Sequence, residues 1–476
     1  MSPFYPFLSF LPPLFIGFLL ASVFWSKEEH IFSDLPLKFA LSVGFGFGTS
    51  SCLVFLWMMV VGRLTRGILV CELLLLAGLC LILVSRQRAS ISGPADQPSR
   101  VAAPSRQRPY FLRSAFCLAS LSAIIRFCGL TLQYPHGLYD AFAIWNLRAR
   151  FLYEGAQYWK EFTHATADSH TDYPLMVPAS VARSWELIGG ETQLIPSAIA
   201  LLFTFATIGV VTASISHLRG ERQGLLAGLV LLGTPFLISH GESQYADVPL
   251  AFFFVATVVL LFLHAESPSE MNFLILAGMT AASSAWTKNE GILFLILLFF
   301  LHPLVTFLTK AKKQCATEIL ALLIGAVPIS AVIFIYKVCL AARNDLVAGQ
   351  GIGSSVPKLM DASRYYLVIH SFLSLPFYFG RWSPLTAMPV LLVFYFLLLG
   401  ASVAKKEVSA TSIAVLLPLF MGVGYFFVYV LSPADLAWHL GSSLDRLLLQ
   451  VWPLVIFTYF MVVQTPEQAL KTNGRM

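Results

Sequence analysis

Arg86-Gln-Arg-Ala-Ser-Ile-Ser-Gly-Pro-Ala-Asp-Gln-Pro-Ser-Arg-Val-Ala-Ala-Pro-Ser-Arg-Gln-Arg108 is a hydrophilic stretch set between two series of apolar runs. Its five arginines and the prolines at 94, 98 and 104 read as a flexible linker on the cytoplasmic side of a membrane, where short basic loops collect. Before it, apolar runs lie near 8–25, 39–61 and 68–85. After it they lie near 111–132, 193–216, 223–240, 248–265, 271–287, 291–309, 318–340, 385–403, 409–431 and 447–464. A spanning helix needs roughly 20 mostly apolar residues, which gives about thirteen spans. The chain is 57% hydrophobic and 12% charged, and its mean hydropathy is +0.75. The fold class is therefore an all-α polytopic membrane protein, not a soluble one.

With the linker inside, alternation sends Arg219/Arg222, Lys310/Lys312/Lys313, Lys405/Lys406 and Lys471/Arg475 to the cytoplasm. This holds if 174–189 and 362–382 lie at the outer interface without crossing. Arg63 and Arg66 then face outward, against the trend. The excess of 31 Lys+Arg over 25 Asp+Glu is absorbed by these loops and does not suggest nucleic-acid binding. The seven cysteines lie in or beside apolar runs, with no Cys-x-x-Cys pair and no His at metal spacing, and read as buried hydrophobes. The start, Met-Ser-Pro-Phe-Tyr, lacks a basic n-region and a cleavage site, so insertion is expected through the first span.

That orientation gathers the chemistry on one face. The outer segments 133–192, 241–247, 288–290, 341–384 and 432–446 hold Asp140, Arg148, Arg150, His170, Asp172, Glu242, Tyr245, Asp247, Lys288, Glu290, His439, Asp445 and Arg446. Ionisable groups in a lipid-embedded chain are kept where they meet water, a partner or a substrate.

Each candidate has a plainer reading beside the functional one. After Asp140, the residues Phe142, Trp145, Ala149 and Leu152 recur at helical spacing, with Asn146, Arg148 and Arg150 off the stripe. This is an amphipathic surface helix that Asp140 could simply cap. Asp172, in His170-Thr-Asp-Tyr-Pro-Leu175, reads first as a cap with Pro174 in the first turn. His170 is a weak ligand candidate without a spaced partner. Asp247 could cap the next span, yet Glu242, Tyr245 and Asp247 at one membrane mouth suit base chemistry or a divalent cation. Lys288 and Arg446 either snorkel or bind phosphate, for which the arginine fork is better suited. Asp445 reads as a charge partner of Arg446. Gly44-Phe-Gly-Phe-Gly48 permits close helix packing. Gly349-Gln-Gly-Ile-Gly353 marks a flexible outer loop that orders over substrate. Arg126, inside a span, is expected to be buried against a partner.

The ordered set now resembles a known family. It consists of an Asp opening a surface helix, Asp172-Tyr-Pro-Leu175, Tyr245-Ala-Asp-Val-Pro-Leu-Ala-Phe-Phe253 and Thr287-Lys-Asn-Glu-Gly291. It is similar to the GT-C glycosyltransferases, in the bacterial family 39-like branch that includes protein mannosyltransferases and the aminoarabinose transferase of lipid A. The resemblance covers roughly 111–310 and, more loosely, 385–464. It implies a GT-C-type fold with interfacial helices in the first large outer loop. It also implies transfer of a sugar from a polyprenyl-phosphate donor to a glycan, lipid or protein acceptor, with inversion. Asp140 and Asp247 would be catalytic, Lys288 and Arg446 would hold the donor phosphate, and Arg148, Arg150, His170, Asp172, Glu242, Tyr245, Glu290 and His439 would contact substrate. A divalent metal at Asp140 and Asp247 is compatible with it. Departures are Ala141 in place of a second acid and Glu290 before Gly291. The expected location is the bacterial inner membrane with the site facing the periplasm. The expected organisation is 1–85 accessory spans, 86–110 linker, 111–340 catalytic module, 341–384 outer loop and interfacial helix, and 385–476 C-terminal spans. A transporter or lipid flippase is the competing class, but charges at one face and the lack of an internal repeat differ from the midplane charges of such proteins. An O-antigen ligase or polymerase would share the lipid donor.

Overall fold

The computed structural model describes residues 5–25, 31–91, 109–164, 170–344, 351–382 and 387–473. Most of the Arg86–Arg108 linker and Gln350 with the glycine before it lie outside the described residues. Helices follow one another through the described residues. They are α1 (Leu11–Phe24), α2 (Ile31–Val61), α3 (Ile68–Ile91), α4 (Tyr110–Gln133), α5 (Asn146–Glu154), α6 (Met176–Ile188) and α7 (Leu194–Arg219). Then come α8 (Glu221–Leu232), α9 (Pro235–Glu242), α10 (Asp247–Glu266), α11 (Asn272–Thr287), α12 (Asn289–Thr309) and α13 (Lys312–Cys339). The last are α14 (Ile352–Met360), α15 (Ala362–Ser374), α16 (Met388–Leu399), α17 (Val408–Leu431), α18 (Leu436–Val462) and α19 (Pro466–Asn473). Among the described residues there is no strand. The protein is an all-α polytopic membrane protein.

Among the described residues ten helices are long and apolar enough to cross a membrane: α1, α2, α3, α4, α7, α10, α12, α13, α17 and α18. The expected thirteen shrink because three apolar runs do not make one long helix. The run 223–240 breaks into α8 and α9, bent by 63°. Thr234 before Pro235 is extended at φ −105°, ψ 90°, as a proline ring requires of its predecessor. The run 271–287 forms only the 16 residues of α11. The run 385–403 forms 12 residues, ended by Gly400 at φ +74°.

Helix α10 runs through the centre of the bundle, buried along its length. The N-terminal helices pack onto it and its neighbours: α2 lies against α6 and α7. They are also tied by a fully buried ion pair. Arg183 of α6 grips both carboxylate oxygens of Glu72 in α3, with Nε–Oε1 at 2.6 Å, and donates to Ser9 O at 2.6 Å. Burying charge is tolerated only with such complete pairing. Helix α6, expected at the membrane interface, is buried from Met176 through Trp185.

Helix α4 touches the bundle along a narrow stripe with Ala123 and Phe127 buried. Arg126 lies off that stripe and is exposed, so the expectation of a buried charge there is overturned. Ion pairs mark one end of the bundle: Arg113–Glu221, Arg219–Glu407, Arg222–Glu467 and Lys406–Glu266. These join the start of α4, the α7–α8 turn, the end of α10 and the segments flanking α17 and α18. Asp140, Asp247, Lys288 and Arg446 lie at the other end.

Candidate active site

Four helix ends converge there. Asp247 is the first residue of α10 and is fully buried. Lys288 is the single extended residue, φ −158° and ψ 159°, between α11 and α12. The reversal is so tight that a Cβ on Gly291 would stand 1.9 Å from Ser284 O, which explains the glycine of the Thr-Lys-Asn-Glu-Gly stretch. Arg446 and Gln450 sit one turn apart on α18 and so share a face. Asp140 precedes a π-turn, Ala141–Trp145, that leads into α5.

Asp247 is the hub. Its Oδ1 accepts from Lys288 Nζ at 2.9 Å and from Gln450 Nε2. Its Oδ2 faces Arg446 Nη2 at 3.0 Å, Arg446 Nε at 3.1 Å and His240 Nε2 at 3.0 Å. A carboxylate out of water costs several kcal/mol unless its oxygens are satisfied, and here both are. Lys288 also pairs with Glu290 at 2.8 Å. Burial alone would depress its ammonium pKa, but Asp247 and Glu290 outweigh burial and raise it. Arg446 reaches outward as well, to Asp140 Oδ2 at 2.7 Å, and lies over the Tyr245 ring at 4.7 Å. Asp140 and Arg446 side chains keep 19% and 18% exposure, whereas Asp247 has none. The chain Lys288–Asp247–Arg446–Asp140 thus runs from the closed interior to an opening.

The Asp140 segment is clipped down by backbone and amide contacts. Asp140 N–H donates to Tyr245 OH at 3.2 Å and Leu138 N–H to Ser243 O at 3.3 Å. Gly137 has φ +72°, and a Cβ on it would meet Ser243 O at 2.5 Å. Gln244 donates to Pro135 O and Ser197 Oγ and accepts from Asn146. Burial pushes the Tyr245 hydroxyl up to about 12, so it stays a neutral phenol.

None of the three acids acts as a side-chain cap. Asp140 makes no side-chain cap bond, and neither Asp172 nor Asp247 stands at a helix N-cap, those positions being Leu175 and Ala246. Asp140, Asp247, Lys288, Glu290, Tyr245 and Arg446 come together as expected of one cluster. Others do not join it. Arg148, expected to face outward, is buried and donates to Tyr173 O at 2.8 Å, with Phe162 beneath it. The π-turn shifts the helical phase, so Phe142 is exposed while Asn146 and Arg148 turn inward. Arg150 pairs with Glu191 at 3.1 Å. Asp172 holds Asn289 and Asn344 through its carboxylate, with Lys337 on its carbonyl. His170, at φ +43°, stacks on Tyr173 with centroids 5.0 Å apart. Glu242 is buried, its Oε1 without a hydrogen bond. His439 meets Ser432 and the Tyr429 ring. Asp445 accepts from the Arg446 backbone N–H and makes no ion pair with its guanidinium.

Two members were missed. His240 and Gln450 looked like ordinary residues of apolar segments. Gln450, an uncharged polar residue four after Arg446 in a span, was the available signal, along with His240 seven before Asp247. A divalent ion bridging Asp140 and Asp247 meets a poor donor set, because Arg446 already stands between them. Among the described residues no three His, Cys, Asp or Glu side chains are grouped to hold a metal.

Comparison with known proteins gives one finding. Residues 172–336 match the family model described as dolichyl-phosphate-mannose-protein mannosyltransferase. That segment contains Asp172, Asp247 and Lys288, while Asp140 and Arg446 flank it. Neither curated proteins nor solved structures give a match. Over residues 172–336, about a third of its length, the chain is similar to the dolichyl-phosphate-mannose-protein mannosyltransferase family of the GT-C superfamily, a likeness that supports a membrane glycosyltransferase of the GT-C type.

Proposed function

We propose that the protein moves a sugar from a polyprenyl-phosphate carrier to an acceptor hydroxyl on the outer face of a bacterial inner membrane, with inversion. The observation that carries this reading is the position of Arg446, shared between buried Asp247 and half-open Asp140. The family supplies the class of donor. The basic clusters Arg219/Arg222, Lys310/Lys312/Lys313 and Lys405/Lys406, at the opposite end of the bundle, support an outward site by the positive-inside rule, with the Arg63/Arg66 loop as the exception.

The mechanism follows from an exchange of ion pairs. Free of ligand, the Asp140 carboxylate is engaged by Arg446 at 2.7 Å and is not open to an acceptor hydroxyl. A donor phosphate entering the opening draws the Arg446 guanidinium to itself, which suits bidentate binding. Asp140, released, takes the proton of the acceptor hydroxyl. The acceptor oxygen attacks the anomeric carbon as the bond from that carbon to the phosphate oxygen breaks, and the electron pair leaves on the phosphate. Arg446 stabilises that charge, an electrostatic contribution of about 3–4 kcal/mol for one well-placed donor. Lys288 is buried beneath Asp247 and acts through it, keeping the aspartate ionised and Arg446 aimed. Lys288 is thus a positioning residue rather than a phosphate ligand. Asp172 and Arg148 hold the loop that carries Tyr173 over Lys288.

The test is sugar transfer from polyprenyl-phosphate sugars by purified protein in nanodiscs. Transfer with inverted anomeric configuration supports the reading. Release of chemically unchanged lipid, with no product, contradicts it.

A further inference from the structure

The two oxygens of Asp247 are held in different ways. Oδ1 is fixed from within, by Lys288 Nζ at 2.9 Å and by the Gln450 amide. That amide has its own orientation set, because Gln450 Oε1 accepts from the buried Tyr425 hydroxyl at 2.9 Å. Oδ2 faces two groups, Arg446 through Nη2 and Nε, and His240 through Nε2 at 3.0 Å. A carboxylate accepts and does not donate, so His240 Nε2 carries the hydrogen. Arg446 is also bound to Asp140 and keeps 18% exposure. Of the two groups on Oδ2, it is the one that a phosphate at the opening can draw away.

His240 is built to stay behind. It lies in the last turn of α9, buried between the rings of Phe236 and Tyr245, each with its centroid 5.0 Å away. Only Ser243–Ala246 join α9 to α10. Gln244 turns that short link at φ +62°, a region that residues with a side chain rarely adopt. Its amide is fastened to Pro135 O and Ser197 Oγ, so the turn is kept and residue 240 is laid against residue 247. The charges point the same way. Asp140, Asp247 and Glu290 face Lys288 and Arg446. Once the guanidinium turns to a phosphate, Lys288 alone faces Asp247 and Glu290. A buried carboxylate that loses its cation is costly unless another donor remains on it.

We infer that His240 is a positioning residue, which holds the Asp247 carboxylate in place while Arg446 turns to the donor phosphate. It touches no substrate and acts through Asp247. The inference rests on the transferase reading and adds to it the group that lowers the cost of the ion-pair exchange.

The experiment reads binding of polyprenyl phosphate to the protein in nanodiscs, as the rise of melting temperature with ligand concentration, beside steady-state transfer. His240→Phe keeps a ring between Phe236 and Tyr245 and removes the donor. It is expected to weaken phosphate binding and raise the donor KM about tenfold, the low end for a hydrogen bond to a charged group. The acceptor KM should not change. Without ligand the melting temperature should move little, because Arg446 still holds Oδ2. His240→Gln, whose amide replaces the Nε2–H, is expected to recover most of the loss. Should His240→Phe not fold, His240→Asn, whose shorter amide falls short of Oδ2, is read in its place. The inference is overturned if the parent protein binds no polyprenyl phosphate, or if binding and donor KM stay parental in His240→Phe. It is equally overturned if His240→Gln is as impaired as His240→Phe, or if donor and acceptor KM rise together, as a merely loosened α9 would make them. Phosphate binding weakened in His240→Phe and recovered in His240→Gln, with no transfer by the parent, would defeat the transferase reading alone. Transfer by the parent, with undiminished phosphate binding in His240→Phe, would defeat this one alone.

Discussion

Each end of α10 carries a buried carboxylate cluster, and the two clusters are chemically alike. At the first, Asp247 is held by Lys288, Arg446 and His240. At the second, Glu318 of α13 is held by Lys310 at 2.7 Å, with His264 at 3.3 Å and His302 at 3.6 Å. Both carboxylates are fully buried. Asp247 and His264 lie 17 residues apart on α10, about 25 Å at ~1.5 Å per residue. The difference lies in where each network ends. The Glu318 cluster ends in Lys310 on a helix-connecting turn, against Leu261, Leu274 and Ile413, with space of only about 10 Å³. The Asp247 cluster continues through Arg446 to a second, half-open acid and a stacked tyrosine. A buried ion pair with no route to a ligand fastens helices. The same pair with such a route can act on one.

The sharpest break in that comparison is Asp140→Asn. It preserves size and removes only the base, so kcat/KM for sugar transfer should fall about 10²–10⁴-fold, the usual share of a positioned base. The melting temperature should move less than in Asp247→Asn, because Asp140 keeps 19% exposure and Arg446 retains its pair with Asp247. Near-parental transfer by this variant would move the base elsewhere.

Asp247→Asn comes next and should do two things at once. It leaves Lys288 and Arg446 buried without their shared carboxylate, a loss of about 3–5 kcal/mol for one broken buried pair. Both thermal stability and transfer should drop. Glu318→Gln tests the other end. Lys310 keeps 20% exposure and can retreat to water, so the expected cost is smaller, about 1–3 kcal/mol. Transfer per folded molecule should be unchanged, and a lower kcat in this variant would show that the second cluster is more than a fastening.

Much of this was legible in the chain. Apolar runs announced ten of the thirteen expected spans as long helices, and the basic clusters other than Arg63/Arg66 gather at one end of the bundle, the arrangement a membrane favours for short loops. Asp140, Asp247, Lys288 and Arg446 stood out as charges that an apolar environment does not hold without cause. Other features had no local signature. Arg148 reads as outward on any 3.6-residue wheel, and only the π-turn at Ala141–Trp145, one residue longer than an α-turn, carries it inward to Tyr173 O. Asp172 resembles a cap until Asn289 and Asn344 are brought to it by helices over a hundred residues away. The break between α8 and α9 was marked by Pro235, but an apolar run of sufficient length masked it.

The smallest expected effect sharpens the comparison most, because it concerns the one contact that joins the open acid to the closed hub without charge. Tyr245 OH accepts the Asp140 backbone N–H at 3.2 Å while its ring supports Arg446 at 4.7 Å. Tyr245→Phe keeps the ring and loses the hydroxyl, so the guanidinium stays supported and the Asp140 turn loosens. One neutral hydrogen bond contributes about 1 kcal/mol, which sets a fall in kcat near fivefold. The phenol, with its pKa raised to about 12 by burial, is uncharged at every pH at which the protein would be assayed. Its removal should therefore lower the pH–rate profile uniformly without shifting either limb. A displaced limb would mean that the hydroxyl takes part in proton transfer, and Tyr245→Leu, which also removes the ring under Arg446, should then cost no more than Tyr245→Phe. A uniform fall, deepened by Tyr245→Leu, assigns the residue to holding both members of the open arm in place.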